Sequence, residues 1–241
     1  MPKTVESLPD WELVLSAAAR LQTILPGAVL VGGTASAIHA GHRFSRDADH
    51  VLTDLRGRFD VVLKELEAVA GWKTARVQRP VQILGRLDGI ETGVRQLIRE
   101  QPLETTVVEF QAERITVPTL AEILRIKAVL ILKRNATRDY LDFLALADRL
   151  GSESTAAALQ SLDDLYPQAS GESPLQQLQV QLANALPFDL EETALPEYKN
   201  LDERWHDWSR VKATCARIAT EIFDRVCALN EVRRKNSLGL R

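Results

Sequence analysis

The stretch from Val29 to Leu55 constrains this chain more than any other, because it reads as strand, glycine bend, short helix and second strand in direct succession. Leu30 and Val31 close an apolar run, and Gly32-Gly33-Thr34 follows at once. Two residues without Cβ let the backbone turn sharply and approach a ligand closely. The helix that begins there has free N–H groups at its N-terminus, which favour an anion, and Thr34 adds a hydroxyl at the same point. After that Ala-rich helix come Arg43, Ser45, Asp47 and Asp49. Two aspartates two residues apart on a strand point to one face. Such a pair repels itself unless a cation lies between, and Mg²⁺ held by one or two carboxylates plus substrate phosphates removes that cost. Alone, a Gly-Gly is a turn and an Asp-x-Asp a solvated loop; their order brings a phosphate cradle and a metal seat to one edge of one sheet.

Taken together, Gly-Gly-Thr, a short helix and Arg43-x-Ser45-x-Asp47-x-Asp49 resemble the signature of the nucleotidyltransferase superfamily, in particular the AbiEii/AbiGii-type toxins of bacterial toxin–antitoxin systems. Downstream, Lys127, Arg134, Arg138, Asp139 and Asp142 are similar to that family's K, R, then R-D-x-x-D block on a helix. The resemblance covers roughly residues 25–150. It implies an α/β fold: a minimal nucleotidyltransferase domain, a mixed sheet flanked by helices, over 1–118, and an α-helical C-terminal domain over 119–241. The site is expected in the cleft between them. The resemblance further implies that Gly32, Gly33, Thr34, Arg43, Ser45, Lys127, Arg134 and Arg138 bind a nucleoside triphosphate. Asp47 and Asp49 would seat Mg²⁺, and Asp139 would act with Lys127 beside them. Versions of the fold with a third metal ligand carry it on a central strand, where Glu91 stands by position, with Asp88 next. The implied reaction moves an NMP from an NTP to a hydroxyl, with the 3′ end of a tRNA as the implied acceptor and a cognate antitoxin as partner. A non-catalytic binder with the same fold and a kinase-like phosphotransferase are the alternatives.

Composition sets few further limits. The chain has 241 residues, 45% hydrophobic and 26% charged, which is ordinary for a globular protein. Its net charge of −3 announces no nucleic-acid binder, so contact with RNA would need a local basic patch. Cys215 and Cys227 have no metal-ligand spacing, which points to a reducing compartment and no zinc site. No apolar leader or membrane-length apolar run is visible, and a cytoplasmic location is the expectation.

Several patterns place the remaining elements. Ser7 and Asp10 read as a capping box before a helix towards Leu25, with Trp11, Val14, Leu15, Ala18 and Leu21 on its apolar face. Phe59 to Ala70 reads as a second helix. Short β pieces at 81–84, 90–94, 106–110 and 114–117 are expected to complete one mixed sheet. Thr119 and Glu122 form a second capping box, opening an apolar helix in which Lys127 must either meet an anion, pair structurally or snorkel. Arg134 and Arg138 are expected on one helical face as a basic stripe, with Asp139 and Asp142 available to pair with them. Helices are expected at 152–166, 175–186 and 201–233. Trp205 and Trp208, around His206, fit an apolar core face better than a base-stacking surface. The tail Arg233-Arg234-Lys235 with Arg241 is basic. His39, His42 and His50 lie near the motif without metal-ligand spacing, and alternation would put His50 on the face opposite the acids.

Overall fold

The computed structural model describes residues 10–237, excluding the side chains of 225, 229, 230 and 232–237. Ser7 and the basic tail residues Arg233, Arg234, Lys235 and Arg241 therefore lie outside the described side chains. The chain divides into two compact units, Met1–Thr119 and Leu120–Arg241.

The first unit opens with α1 (Trp11–Ile24), whose N-cap is Asp10: its carboxylate accepts from the Glu12 amide at 3.1 Å. Asp10 thus caps the helix itself instead of closing a capping box from within. Then follow β1 (Val29–Leu30), α2 (Gly32–Ala40), β2 (Asp47–Leu52), α3 (Phe59–Glu67) and the strands β3 (Trp72–Gln78), β4 (Gln82–Leu87) and β5 (Ile90–Gln96). The five strands form one mixed sheet in the order β1-β2-β5-β4-β3, parallel only between β2 and β5. The β2–β5 crossover runs through α3, β3 and β4, which is how a parallel pair acquires the long connection it needs.

One face of this sheet carries helices. Ala48, His50 and Leu52 of β2 point inward with Ile83, Leu87 and Val94, and they meet Leu21 and Leu25 of α1 and Val62 and Leu66 of α3. Full burial of each such aliphatic side chain contributes about 1.5–3 kcal/mol, which fixes the register of β2 and sends Asp47, Asp49 and Val51 to the other face. Two strands depart from the sequence reading. β6 (Thr105–Phe110) and β7 (Glu113–Pro118) pair only with each other, as a separate ribbon packed on α1 and β1, so they do not complete the main sheet. Val117 and Ile115 at 0% exposure give that ribbon its own buried side.

The second unit is helical: α4 (Leu120–Arg134), α5 (Thr137–Leu150), α6 (Ser152–Leu159), α7 (Leu162–Leu165), α8 (Pro174–Ala183) and α9 (Trp208–Ser237). α8 is opened by Ser173, whose hydroxyl accepts from the Gln176 amide, with Pro174 in the first turn where its missing N–H costs nothing. Trp205 is buried and Trp208 meets Tyr140 edge-on at 6.0 Å, so both tryptophans belong to this unit's packing. Among the described residues, no helix is long and apolar enough to cross a membrane.

Candidate active site

The bend after β1 is held from the strand beside it. The Val31 amide donates to the Asp49 carbonyl at 2.8 Å, and Gly32 follows at φ +73°, a conformation that side chains with a Cβ rarely adopt. Val31 provides no side-chain cap, so the first amides of α2 lack an intrahelical partner. A Cβ on Gly32 would lie 3.6 Å from the Asp49 Cβ and 3.7 Å from its Oδ2. The glycine bend and the second acid of the motif are thus neighbours in space.

Arg43 and Ser45 lie behind the bend. A Cβ on Gly33 would come within 2.6 Å of Arg43 Nη2 and 2.9 Å of Ser45 Oγ. Arg43 is 3% exposed and donates from Nη1 to the Phe44 carbonyl at 2.8 Å. Ser45 donates to Asp47 Oδ1 at 2.7 Å. Thr34, fully buried, donates to the Asp47 carbonyl, so its hydroxyl clamps α2 to β2 where the sequence reading aimed it at a phosphate. Arg43 and Ser45 likewise act from underneath: they set the bend and one carboxylate, and the guanidinium adds positive charge behind the bend.

Asp47 and Asp49 are both half-buried on the face of β2 opposite Ala48 and His50. Asp49 Oδ1 lies 3.9 Å from Arg95 Nη2. Arg95 did not figure in the sequence reading, although the alternation Glu91-x-Gly93-x-Arg95 on β5 carries the signal. Gly93 sits in register with Asp49, and a Cβ there would meet the Ile83 carbonyl at 2.4 Å, so the strand must be bare beside the acid. His50 faces the core, where burial pushes its pKa down to about 4; it is neutral and belongs to the packing.

The proposed third acid is placed but engaged. Glu91 is the register partner of Asp47 on β5 and shares its face, yet its carboxylate takes Arg86 Nη2 at 2.8 Å. Asp88, at the β4–β5 turn with φ +51°, pairs with Arg20. Among the described residues, no group of three His, Cys, Asp or Glu side chains is gathered for one ion, so Asp47, Asp49 and Glu91 do not form a ready-made cluster.

In the helical unit the second motif folds in on itself. Lys127 Nζ, on a side chain 2% exposed, lies 2.7 Å from Asp142 Oδ2 and 3.5 Å from Asp139 Oδ1. Arg134 grips Asp139 with Nη2 at 2.7 Å and Nε at 3.1 Å. The ammonium of Lys127 thus has two buried carboxylates for partners, the structural pairing that the sequence reading set beside a triphosphate contact. The single basic stripe is also corrected. Asn135, at φ +47°, separates α4 from α5, so Arg134 and Arg138 end and begin different helices. Arg138 is exposed, and Asp139 pairs with Arg134 and Lys127 instead of with it.

Comparison with known proteins matches the model of a family described as nucleotidyl transferase AbiEii toxin, type IV toxin–antitoxin system, over residues 14–226. The chain belongs to the AbiEii family. A candidate nucleotidyltransferase from H. pylori, known as a crystal structure, superposes with a TM-score of 0.51 at 16% identity, covering 91% of this chain and 96% of that one, and shows the shared fold. Among curated sequences, the heme uptake protein MmpL11 of Mycobacterium tuberculosis strain H37Rv is 30% identical over 242 residues, 89% of this chain and 23% of that protein. The mycolic acid-containing lipids exporter MmpL11 of Mycolicibacterium smegmatis is 28% identical over 221 residues, with 89% and 22% covered. The chain therefore spans about a quarter of the length of the curated relatives it matches.

The AbiEii family is described as one of nucleotidyl transferases, and the group whose fit this site can be tested for is a divalent metal ion. The donor set fits such an ion. Asp47 and Asp49 present hard oxygens on one face beside the bend, and a hard divalent cation is bound by one or two carboxylates completed by phosphate oxygens and water. The AbiEii motif in this chain thus divides its labour: the acids and glycines face outward, and Arg43, Ser45 and Thr34 brace them.

Proposed function

We propose that this protein transfers a nucleoside monophosphate from an NTP to a hydroxyl at the 3′ end of an RNA such as a tRNA, in a Mg²⁺-dependent reaction, as the toxin of a toxin–antitoxin pair with a cognate antitoxin as partner. One observation carries the reading: the Gly32–Gly33 bend lies against Asp49, with Asp47 on the same face of the same strand. The free amides of α2 and the buried guanidinium of Arg43 receive the negative charge of the triphosphate. Asp47 and Asp49 hold the metal, which when bound neutralises phosphate charge and orients the α-phosphate. The acceptor oxygen forms a bond to the α-phosphorus while the bond to the bridging oxygen of the β-phosphate breaks. Pyrophosphate leaves, and the hydroxyl proton passes to solvent or a carboxylate. Such a reaction needs positioning and electrostatics more than covalent participation.

In the helical unit we assign the phosphate contacts to Arg134, whose side chain is 38% exposed, and to the exposed Arg138. Lys127 and Asp139 act as positioning residues, since Asp139 fixes the Arg134 fork and Lys127 neutralises Asp139 and Asp142. The experiment is NTP incorporation with bulk RNA, using label in the α- or the γ-position and comparing the native chain with Asp47→Ala. Label passing to RNA from the α-position only, and lost in the variant, supports the reading. Transfer of γ-label, or equal behaviour of the two chains, overturns it.

A further inference from the structure

The strand registers place a second feature beside the two acids. On the face of the sheet opposite Ala48 and His50, Asp47 of β2 continues through Glu91 of β5 and Arg86 of β4 to Lys73 of β3, each the register partner of the last. The next row runs from Asp49 through Gly93 and Leu84 to Arg76, and the third from Val51 through Arg95 to Gln82 and Gln78. Register partners on neighbouring strands project to the same side, so these residues share one surface. Lys73, Arg76, Arg86 and Arg95 are all exposed on it. Their span from the acids is three strand spacings, roughly 14 Å.

The polarity of this face is the point. Although the chain as a whole carries −3, three strands of the open face present lysine and arginine against the single acid Glu91. Lys73 and Arg76 make no ion pair among the described residues. The Arg86–Glu91 bridge, with side chains 59% and 65% exposed, is the solvent-screened kind that holds little energy and exchanges partners readily. At the centre of the face Gly93 lies in register with Leu84, so no charged group interrupts the cations there. A row of exposed cations that leads to a carboxylate pair matches a partner with repeated negative charge whose end must reach that pair.

We propose that the open face of β3, β4 and β5 is the track along which the phosphate backbone of a nucleic-acid acceptor lies, with Lys73 and Arg76 as its outer contacts and Arg86 and Arg95 leading to Asp47 and Asp49. This rests on the transferase reading above and names the surface on which its acceptor is held. Phosphate contacts position a strand without reading its bases, so the track selects a polyanion and leaves base preference elsewhere.

The test uses the full chain and a fluorescently labelled single-stranded RNA of mixed sequence, followed by anisotropy across a salt series. The charge-reversed pair Lys73→Glu with Arg76→Glu is expected to weaken RNA binding by roughly tenfold or more at low salt. The milder pair Lys73→Gln with Arg76→Gln should lie between it and the native chain, and should lower the salt slope by about 1.4 for the two charges removed. In the incorporation assay the reversal raises KM for RNA, while kcat and the affinity for NTP stay as in the native chain. Binding is read again in the Asp47→Ala chain, where chemistry is removed, so the track is judged apart from catalysis. Asp47-dependent incorporation with RNA affinity and KM untouched by either pair overturns the track and leaves the transferase reading standing. Label entering a protein hydroxyl with RNA as bystander overturns both the track and the RNA acceptor of the reading above. Incorporation that ignores Asp47 overturns the transferase reading itself.

Discussion

A Cβ on Gly33 would lie 2.6 Å from Nη2 of Arg43, so the guanidinium fills the space a side chain would need. Arg43 is 3% exposed and cannot swing into solvent to make room. Gly33→Ala should therefore destabilise by about 1–3 kcal/mol, the usual penalty for overpacking a tight site. It should also reduce transfer, since the displaced Arg43 and Ser45 lie directly behind Asp47. Gly32→Ala tests a different term. Its Cβ has ordinary contacts at 3.6 Å and more, but φ is +73°, and a non-glycine residue there costs about 1–2 kcal/mol of backbone strain. Urea denaturation of both variants checks the two figures, and a neutral result for Gly33→Ala would show that Arg43 is not wedged.

Asp47→Asn and Asp49→Asn should separate activity from folding. Both carboxylates sit on a half-exposed face, and removing one charge relieves repulsion between them. Thermal stability should hold or rise slightly, while incorporation should fall by roughly 10²–10³-fold, as for loss of one preorganised electrostatic group. Chelation of divalent ions should abolish incorporation in the native chain without shifting its melting temperature. A fall in melting temperature with either variant, at unchanged activity, would make the pair structural.

The two cysteines should behave oppositely. Burial pushes the Cys215 thiol up to about 12, whereas Cys227 is exposed. At pH 8 a thiol-reactive probe should label Cys227 and leave Cys215 untouched until denaturant is added, because the thiolate is the reacting species. The raised pKa also fixes a sign. Between the ordinary thiol value of 9.0 and about 12 the folded state binds more protons than the unfolded one, so this group's contribution is complete below pH 9 and is lost as pH climbs through that window. Mass spectrometry of peptides labelled with and without urea checks the first point, and equal labelling of both cysteines in the native chain would refute it.

The motif of the first unit was legible because its meaning is local. Gly32, Gly33, Asp47 and Asp49 are joined by one short helix, and period-two alternation on β2 assigns the acids and His50 to opposite faces. What was not legible depends on distant partners. β3 shows no apolar alternation, since every residue after Trp72 is exposed and a bulge between Thr74 and Arg76 shifts its phase. Its existence rests on pairing with β4. The break between α4 and α5 contains neither glycine nor proline; Asn135 turns it, and α5 is capped by Asp189, whose Oδ1 accepts from the Thr137 amide at 2.7 Å and from its hydroxyl at 2.8 Å. A cap from 52 residues away leaves no mark in the local pattern. The role of Lys127 was open for the same reason, because an apolar helix shows that a lysine is buried without showing what meets it.

Lys127 supplies the sharpest test in the helical unit. Its ammonium stands between Asp139 and Asp142, both at 0% exposure, and its removal would take from two interior carboxylates the cation they share. Lys127→Ala should therefore cost about 3–5 kcal/mol, the range for breaking a buried pair from one side. Replacing the ammonium together with Asp142, as Lys127→Leu with Asp142→Leu, removes both charges and keeps the Arg134–Asp139 fork. That double variant should recover most of the lost stability, since a buried ion pair exchanged for packed apolar groups is often close to neutral. If Lys127 acts on phosphate only through the fork, the double variant should also recover transfer, with KM for NTP near the native value. A chain that melts like the native one after Lys127→Ala yet has lost transfer would instead make the ammonium a direct phosphate contact.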